Sequence, residues 1–466
     1  MSTFAGKHVL VLGLGESGLA MARWCGRQGA RLRVADSRER PPGLDALLQD
    51  VPLAEIVTAT FGNEVLDGVD LLAISPGLDP REGVIAEAYR RGLPVTGEMS
   101  LLAAALRDLG VRGETRILAI TGTNGKTTTT ALTAALAAAS GMDAVAAGNI
   151  SPAALDVLMD RLDRGEDLPA CWVLELSSFQ IETMEGLEPD AATVLNVTDD
   201  HLDRYADLDA YAETKARIFE GKGVQVLNRD DERVLAMARA GRRVIGFSTA
   251  APQSADDYGL LEQAGECWLV RGDERLLPLA SLPIAGRHNA ANALAALALC
   301  EAGLGLAPEA LLPALRAFRG LPHRVELVAE REDGVRFYDD SKGTNVGATV
   351  AALDGLAGRV VLIAGGDGKG QDFSPLADPF ARHVRAAVLI GRDAVRIESD
   401  VAGCGVALEH AASLDAAVER AAQLAQPGDV VLLSPACSSL DMFRNYAHRA
   451  DVFVAAVRRL PGVSAR

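Results

Sequence analysis

The chain has 466 residues, 49 % of them hydrophobic and only 4 % aromatic, and it carries a formal charge of −17. That length exceeds what one hydrophobic core supports and calls for two or three domains, in a composition suited to Ala/Val/Leu-rich α/β packing. The acidic balance argues against nucleic acid and anionic membrane surfaces as partners, because both reward positive surface.

The six cysteines, Cys25, Cys171, Cys267, Cys300, Cys404 and Cys437, are scattered without a Cys-x-x-Cys pair. This suits a reducing cytoplasm and offers no thiolate metal site. No signal peptide is expected at the N-terminus, and no apolar run is long enough to cross a bilayer. A cytoplasmic protein follows as the expectation.

His8–Leu12 reads as a first strand, followed by Gly13-Leu14-Gly15-Glu16-Ser17-Gly18 and an Ala/Leu-rich helix. A second strand, Arg31–Ala35, ends at Asp36, about twenty residues on, which is the dinucleotide-binding fingerprint in spacing. Taken alone it supports a nicotinamide-dependent oxidoreductase. The segment, however, closes with the strand Val69–Ile74, then Ser75-Pro76-Gly77 and Pro94–Gly97. That is room for one mononucleotide-binding half, without a catalytic acid or base. A nucleoside diphosphate at a helix N-terminus is the expectation, and a glycine-tight turn without ligand the alternative.

A second unit begins near Glu98. Its strand Ile117–Ile120 runs into Gly122-Thr123-Asn124-Gly125-Lys126-Thr127-Thr128 and then a helix-forming stretch. A glycine turn between strand and helix directs backbone N–H groups and the positive helix end at one spot, which suits phosphate. Lys126 adds a mobile charge for the outer phosphates, and the Thr127 hydroxyl can reach a magnesium ion. Ile120 stands where the usual P-loop has its first glycine.

Gly148-Asn149-Ile150-Ser151 follows a further strand. In Trp172–Gln180 a carboxylate, Glu175, interrupts an apolar strand. A buried Glu needs a cation, either a magnesium beside the P-loop or a neighbouring Arg. The strand Ala191–Val197 ends in Thr198-Asp199-Asp200-His201-Leu202-Asp203, at the strand end where α/β folds place chemistry. Lys215 follows on an amphipathic helix, and its residue type alone does not single it out. Gly286-Arg287-His288-Asn289 opens a long helix whose His288, Asn289 and Asn292 could reach a base or phosphate, or simply cap it.

Pro and Gly at Gly320-Leu321-Pro322 mark a boundary. Strands around Val335–Tyr338, Val360–Ile363, Ala387–Ile390 and Val430–Leu433, with helices between, predict another doubly wound sheet. Three polar loops, Asp339–Asn345, Gly365–Lys369 and Ser434–Ser439, should converge on one sheet edge. They bring Lys342 and Lys369 to a site fit for a small dicarboxylate or a nucleotide phosphate.

With these residues assembled, the chain resembles the Mur ligase family along essentially its full length. The motifs are Gly122–Thr127, Leu174–Gln180, Asn196–His201, Gly286–Asn289, Leu321-Pro322-His323-Arg324 and Asp340-Ser341-Lys342. Gly365–Lys369, Ser434–Phe443 and the N-terminal glycine-rich unit point to the members that take D-glutamate. Siblings with another acceptor, and folylpolyglutamate synthetases, are the nearest alternatives.

The resemblance implies an α/β chain of three domains: 1–97 a Rossmann-like UDP-binding unit, 98–320 a P-loop ATPase-like unit, and 321–466 a Rossmann-like unit closing on ATP and the amino acid. It implies a monomeric ATP-dependent ligase that joins UDP-N-acetylmuramoyl-L-alanine to D-glutamate with two Mg2+ ions, in peptidoglycan precursor synthesis. Position by position, Glu16, Ser17, Asp36, Ser37, Arg38, Ser75, Gly77 and Asn149 would hold the UDP substrate. Gly122–Thr128, His288, Asn289, Asn292, Arg324 and Asp340 would contact ATP. Thr127 and Glu175 would ligate one metal, His201 and a carbamylated Lys215 the other, with Lys126, Asn149, His201 and Lys215 catalytic. Lys342, Thr344, Lys369, Ser439, Leu440 and Tyr446 would hold glutamate. Ser151 replaces a family glycine, Gly343 an alanine and Tyr446 a phenylalanine, and the His201-to-Lys215 spacing is one residue short.

Overall fold

The computed structural model describes residues 4–200, 204–284 and 286–465. Its strands form three sheets. The first comprises β1 (His8–Leu12), β2 (Arg31–Asp36), β3 (Glu55–Thr58), β4 (Leu71–Ile74) and β5 (Val95–Thr96), all parallel in the order β3-β2-β1-β4-β5. β1 is buried along its whole length, as the central strand of a parallel sheet requires. The turn after it is tight: a Cβ on Gly18 would lie 1.9 Å from the Gly13 carbonyl oxygen, so only glycine lets the helix Glu16–Arg27 start there.

The second sheet has nine strands: β6 (Arg116–Thr121), β7 (Ala144–Gly148), β8 (Cys171–Glu175), β9 (Ala191–Val194), β10 (Val224–Asn228), β11 (Val244–Phe247), β12 (Tyr258–Gln263), β13 (Glu266–Arg271) and β14 (Glu274–Pro278). In the order β14-β13-β12-β11-β10-β9-β6-β8-β7, the part from β7 to β12 is parallel and β12–β13–β14 is an antiparallel meander. The meander goes beyond the helix-strand alternation read from the sequence. Its first turn is two residues, Ala264 and Gly265, both with positive φ (55° and 80°), the geometry that matches the twist of a hairpin.

The third sheet runs β19-β18-β17-β20-β16-β15-β21, from β15 (Glu326–Arg331), β16 (Arg336–Asp339), β17 (Val360–Gly365), β18 (Val384–Ile390), β19 (Ala407–His410), β20 (Val430–Leu433) and β21 (Val463–Ala465). The four strands read from the apolar runs are β16, β17, β18 and β20; β15 and β21 are antiparallel additions at one edge.

The first and second sheets share a core. Met21 and Trp24 on the helix Glu16–Arg27 pack in one cluster with Leu102 and Leu106 of the helix Glu98–Asp108 and with Leu155 and Leu158 of the helix Ala154–Arg164. The third sheet has its own clusters on its two faces. No helix among the described residues is long and apolar enough to cross a membrane.

Candidate active site

The carboxyl ends of β6, β8 and β9 lie side by side, so the loops that follow them meet. After β6, Gly125 has φ 83° and a Cβ there would come within 2.5 Å of Asn292 Oδ1; the glycine lets the loop enter the helix Lys126–Ala139 against the helix Arg287–Leu304. Asn289 and Asn292, expected on one face, are both buried, and the Asn292 side-chain amide donates to Asn289 Oδ1 at 3.1 Å. His288 turns elsewhere: it hydrogen-bonds the Ala351 backbone in the third unit and packs on Gly355, and burial lowers its pKa to about 4.

The loop is braced by Asn196, a residue the sequence placed in a motif without a role. The Thr123 N–H donates to the Asn196 carbonyl at 2.9 Å and the Asn124 N–H to Asn196 Oδ1 at 2.8 Å. Two amides offered for phosphate are thus committed, and the donors left among the described residues include Gly125 and the first helical turn from Lys126 through Thr128. Lys126 curls back on the loop, donating to the carbonyls of Gly122 and Thr123 at 2.8 and 2.7 Å. Burial lowers its pKa, against the carboxylates of Glu175 and Asp200.

Glu175 ends β8 and is 2 % exposed. Its Oε1 accepts from the Asn149 side-chain amide at 2.8 Å, while its Oε2 is buried with no hydrogen-bond partner among the described residues. An orphaned, buried carboxylate oxygen is expensive unless a cation or proton completes it. Of the two cations the sequence considered, the arginine is nearby: Arg324 lies close enough to perturb Glu175 electrostatically, and it donates to Thr127 Oγ1 at 2.7 Å. The oxygen chemistry of Glu175 and Thr127 fits a hard divalent ion.

Lys215, which its residue type alone would not mark, is 1 % exposed. Its ammonium donates to the Gly122 carbonyl at 3.1 Å and lies 4.3 Å from the Tyr211 ring centroid. Burial, and next the charge of Lys126, push its pKa well below the usual lysine range. His201 lies outside the described residues, so its place beside Lys215 is not described.

Around the first sheet a cleft of about 880 Å³ opens, and Glu16, Ser17, Asp36, Ser37, Arg38, Ser75, Gly77 and Asn149 all line it. Asp36 does so with its carboxylate turned inward. One oxygen accepts from the Leu14 N–H at 2.7 Å, both meet the Arg38 guanidinium at 2.6–2.8 Å, and the arginine holds its pKa down at about 2. The acid therefore shapes the glycine turn and aims Arg38. Gln180, also on the cleft, was missed by sequence; the signal was its capping box with Ser177. Glu16 is tied to the central unit by the Ser151 hydroxyl at 2.7 Å, a bond the family's usual glycine could not make.

In the third unit the loops after β16, β17 and β20 are laced together. Ala436 N–H donates to the Gly343 carbonyl at 3.0 Å, Gly365 N–H to the Pro435 carbonyl at 2.8 Å, and Asp367 and Ser438 exchange backbone bonds at 3.0 and 2.9 Å. These loops carry Lys342, Thr344, Lys369 and Ser439. Lys342 Nζ stands 5.0 Å from the Tyr446 ring, and Leu440 is 65 % exposed. Asp340 is buried, 6 % exposed; burial raises its pKa to about 7, opposed by the Ser434 hydroxyl at 2.7 Å and by Arg324.

Comparison with known proteins bears on all three units. Family models match residues 7–97 (Mur ligase MurD-like, N-terminal domain), 120–300 (Mur ligase middle domain) and 323–437 (Mur ligase, glutamate ligase domain). A UDP-N-acetylmuramoylalanine–D-glutamate ligase of Aromatoleum aromaticum is 76 % identical over 465 residues, covering 100 % of both chains. One of Nitrosospira multiformis is 56 % identical, covering 99 % of this chain and 97 % of its own. Among solved structures, MurF from Acinetobacter baumannii superposes with TM-score 0.60 at 17 % identity over 97 % of this chain and 91 % of its own. UDP-N-acetylmuramate-alanine ligase MurC from Thermotoga maritima does so with 0.59 at 20 % over 97 % and 99 %; these two likenesses concern the fold. With family models along all three units and relatives this similar from end to end, the chain belongs to the Mur ligase family.

Proposed function

We propose that this Mur ligase adds D-glutamate to UDP-N-acetylmuramoyl-L-alanine, forming an amide bond as ATP becomes ADP and phosphate. The full-length relatives that carry this activity in their names support it. The most direct structural support is Asn149. It lines the cleft of the first unit and donates to Glu175 beside the P-loop, so one residue adjoins both the cleft and the phosphate end. Residues 1–97 would hold the UDP moiety, 98–320 ATP, and 321–466 the amino acid, with the chain working as a cytoplasmic monomer.

Joining a carboxylate to an amine in water is uphill, so the carboxylate is activated first. The alanyl carboxylate oxygen attacks the γ-phosphorus and ADP leaves, giving an acyl phosphate. The glutamate amine then attacks the carbonyl carbon, and the tetrahedral intermediate expels phosphate. The obstacle in the first step is the approach of two anions. Lys126 and the amides of the first helical turn offset that charge, and Arg324 adds a cation from the third unit. Thr127 and Glu175 would hold one magnesium, and His201 with Lys215 a second; bound there, the metal would neutralise phosphate oxygens as a Lewis acid. Lys215 suits this only as a carbamate, which turns a cation into an anionic ligand. Its depressed pKa favours the neutral amine, the form that reacts with CO2. Lys342 and Lys369 would pair with the two carboxylates of glutamate, near Thr344, Ser439, Leu440 and Tyr446.

The test is release of ADP and phosphate by purified protein with Mg2+, UDP-N-acetylmuramoyl-L-alanine and a panel of amino acids of both hands. Release coupled to new amide only with D-glutamate is the expected result. Equal turnover with another amino acid, or hydrolysis without amide, would overturn the reading.

A further inference from the structure

Arg449 lies on the helix Tyr446–Arg458, on the face it shares with buried Ala450, Phe453 and Val457, and it is completely enclosed (0 % exposed). A guanidinium in that position is costly unless every donor is used and its charge serves a purpose. Its donors are spread over two loops. Nε donates to Ser341 Oγ at 3.0 Å, Nη2 to the Ser341 carbonyl at 2.7 Å and Nη1 to the Cys437 carbonyl at 3.1 Å. The third loop passes the same group: a Cβ on Gly366 would stand 3.5 Å from Nη1. The Ser341 hydroxyl donates on to the Tyr446 carbonyl at 2.8 Å, returning the network to the start of the arginine's own helix.

All three contacts are to neutral oxygens, and Arg449 makes no ion pair among the described residues. Burial lowers its pKa only to about 10, opposed at longer range by Cys437, Asp441, Asp339 and Asp340, so the charge persists at neutral pH. A planar fork can hold two backbone carbonyls and a hydroxyl at fixed angles; a lysine ammonium on a flexible stem cannot. The next residues along these loops are Lys342, Ser438 and Ser439, and Lys369 follows Gly366.

We propose that Arg449 is a positioning residue for the amino-acid pocket, locking the loops that carry Lys342 and Ser439 and adding buried positive charge that favours a dicarboxylate over a monocarboxylate. The proposal rests on the glutamate-adding reading above. It assigns Arg449 no contact with substrate.

The experiment is steady-state kinetics of full-length Arg449→Lys, Arg449→Gln and Ser341→Ala, varying each substrate in turn and replacing D-glutamate by D-glutamine. Acyl phosphate formed without amino acid is trapped with hydroxylamine. Losing one charge-assisted bond is worth about tenfold in binding, so KM for D-glutamate should rise about tenfold in Arg449→Lys and more in Arg449→Gln. KM for ATP and for the UDP substrate, and the hydroxamate yield, should stay within about twofold by the same measure. The preference for D-glutamate over D-glutamine should shrink in Arg449→Gln. KM values for all three substrates moving together, or a lower Tm with unchanged KM for glutamate, would overturn the proposal. Should the arginine variants not fold, Ser341→Ala decides: a several-fold rise confined to KM for glutamate supports it, and none refutes it. A wild-type enzyme that rejects glutamate would instead refute the underlying reading.

Discussion

Arg324 donates to Thr127 Oγ1 at 2.7 Å, and this bond joins the loop that opens the third unit to the first turn of the P-loop helix. Asn345 approaches Asn124 nearby at 3.4 Å. Whereas the first two units share apolar core, these contacts of the third are polar, of the kind that a phosphate can replace or strengthen.

Arg324 is expected to couple nucleotide binding to closure of the third unit. Arg324→Ala should lower kcat/KM for ATP by about 10²–10³, the cost of removing one well-placed charge stabiliser. Small-angle scattering provides an independent check. The wild type should contract on adding nucleotide and the variant should not; equal contraction would show that Arg324 plays no part in closure.

Lys215→Ala should lose at least about 10² in kcat and regain part of it with added formate or acetate, which would stand in for the carbamate. The wild type exchanged with ¹³C-bicarbonate should give a carbamate carbonyl signal that the variant lacks. A variant retaining most of its activity would remove Lys215 from the mechanism.

Asp36 supplies a pH dependence at the acid end. Its folded pKa is held near 2, below the ordinary 3.8, chiefly by Arg38. Its stabilisation is therefore present above about pH 3.8 and lost as pH falls through 2. Because Arg38 is half-exposed, the contribution is discounted to the order of 1 kcal/mol. Urea unfolding of Asp36→Asn should show that loss at pH 7 and convergence with the wild type near pH 2. KM for the UDP substrate should rise as the glycine turn loosens.

Glu98 works in the opposite direction. It starts the helix Glu98–Asp108, is 2 % exposed, and accepts from the Leu155 N–H at 3.3 Å beside the Ser17 hydroxyl. Burial raises its pKa from 4.5 to about 7, so the native state prefers the protonated acid. The stability it contributes is full below about pH 4.5 and lost as pH rises through 7, on the order of 2–3 kcal/mol. Glu98→Gln should abolish that slope between pH 5 and 8 in denaturant titrations. An identical slope in the variant would mean that another group titrates.

Local order was legible in the chain because local sequence creates it. Glycines that only a tight βα turn needs, apolar runs ending in polar loops, and the Gly-Lys-Thr start of a helix are each decided within a few residues, and they gave the three α/β units and the loops that line the site. The hairpin turns at Ala264-Gly265 and Gly272-Asp273 were local signals too, but the short strands they join carry little periodicity. What only the tertiary structure decided is which polar side chains are removed from water and what meets them there. Lys215 lies against the Gly122 carbonyl, Glu175 keeps one oxygen unmatched, and Asn196 takes the amides of a loop more than seventy residues away. Arg449 reads as one more cation on a C-terminal helix until the fold closes around it. Desolvation turns such ordinary residues into strong electrostatic elements, and it is a property of packing between distant segments, which no window of sequence contains.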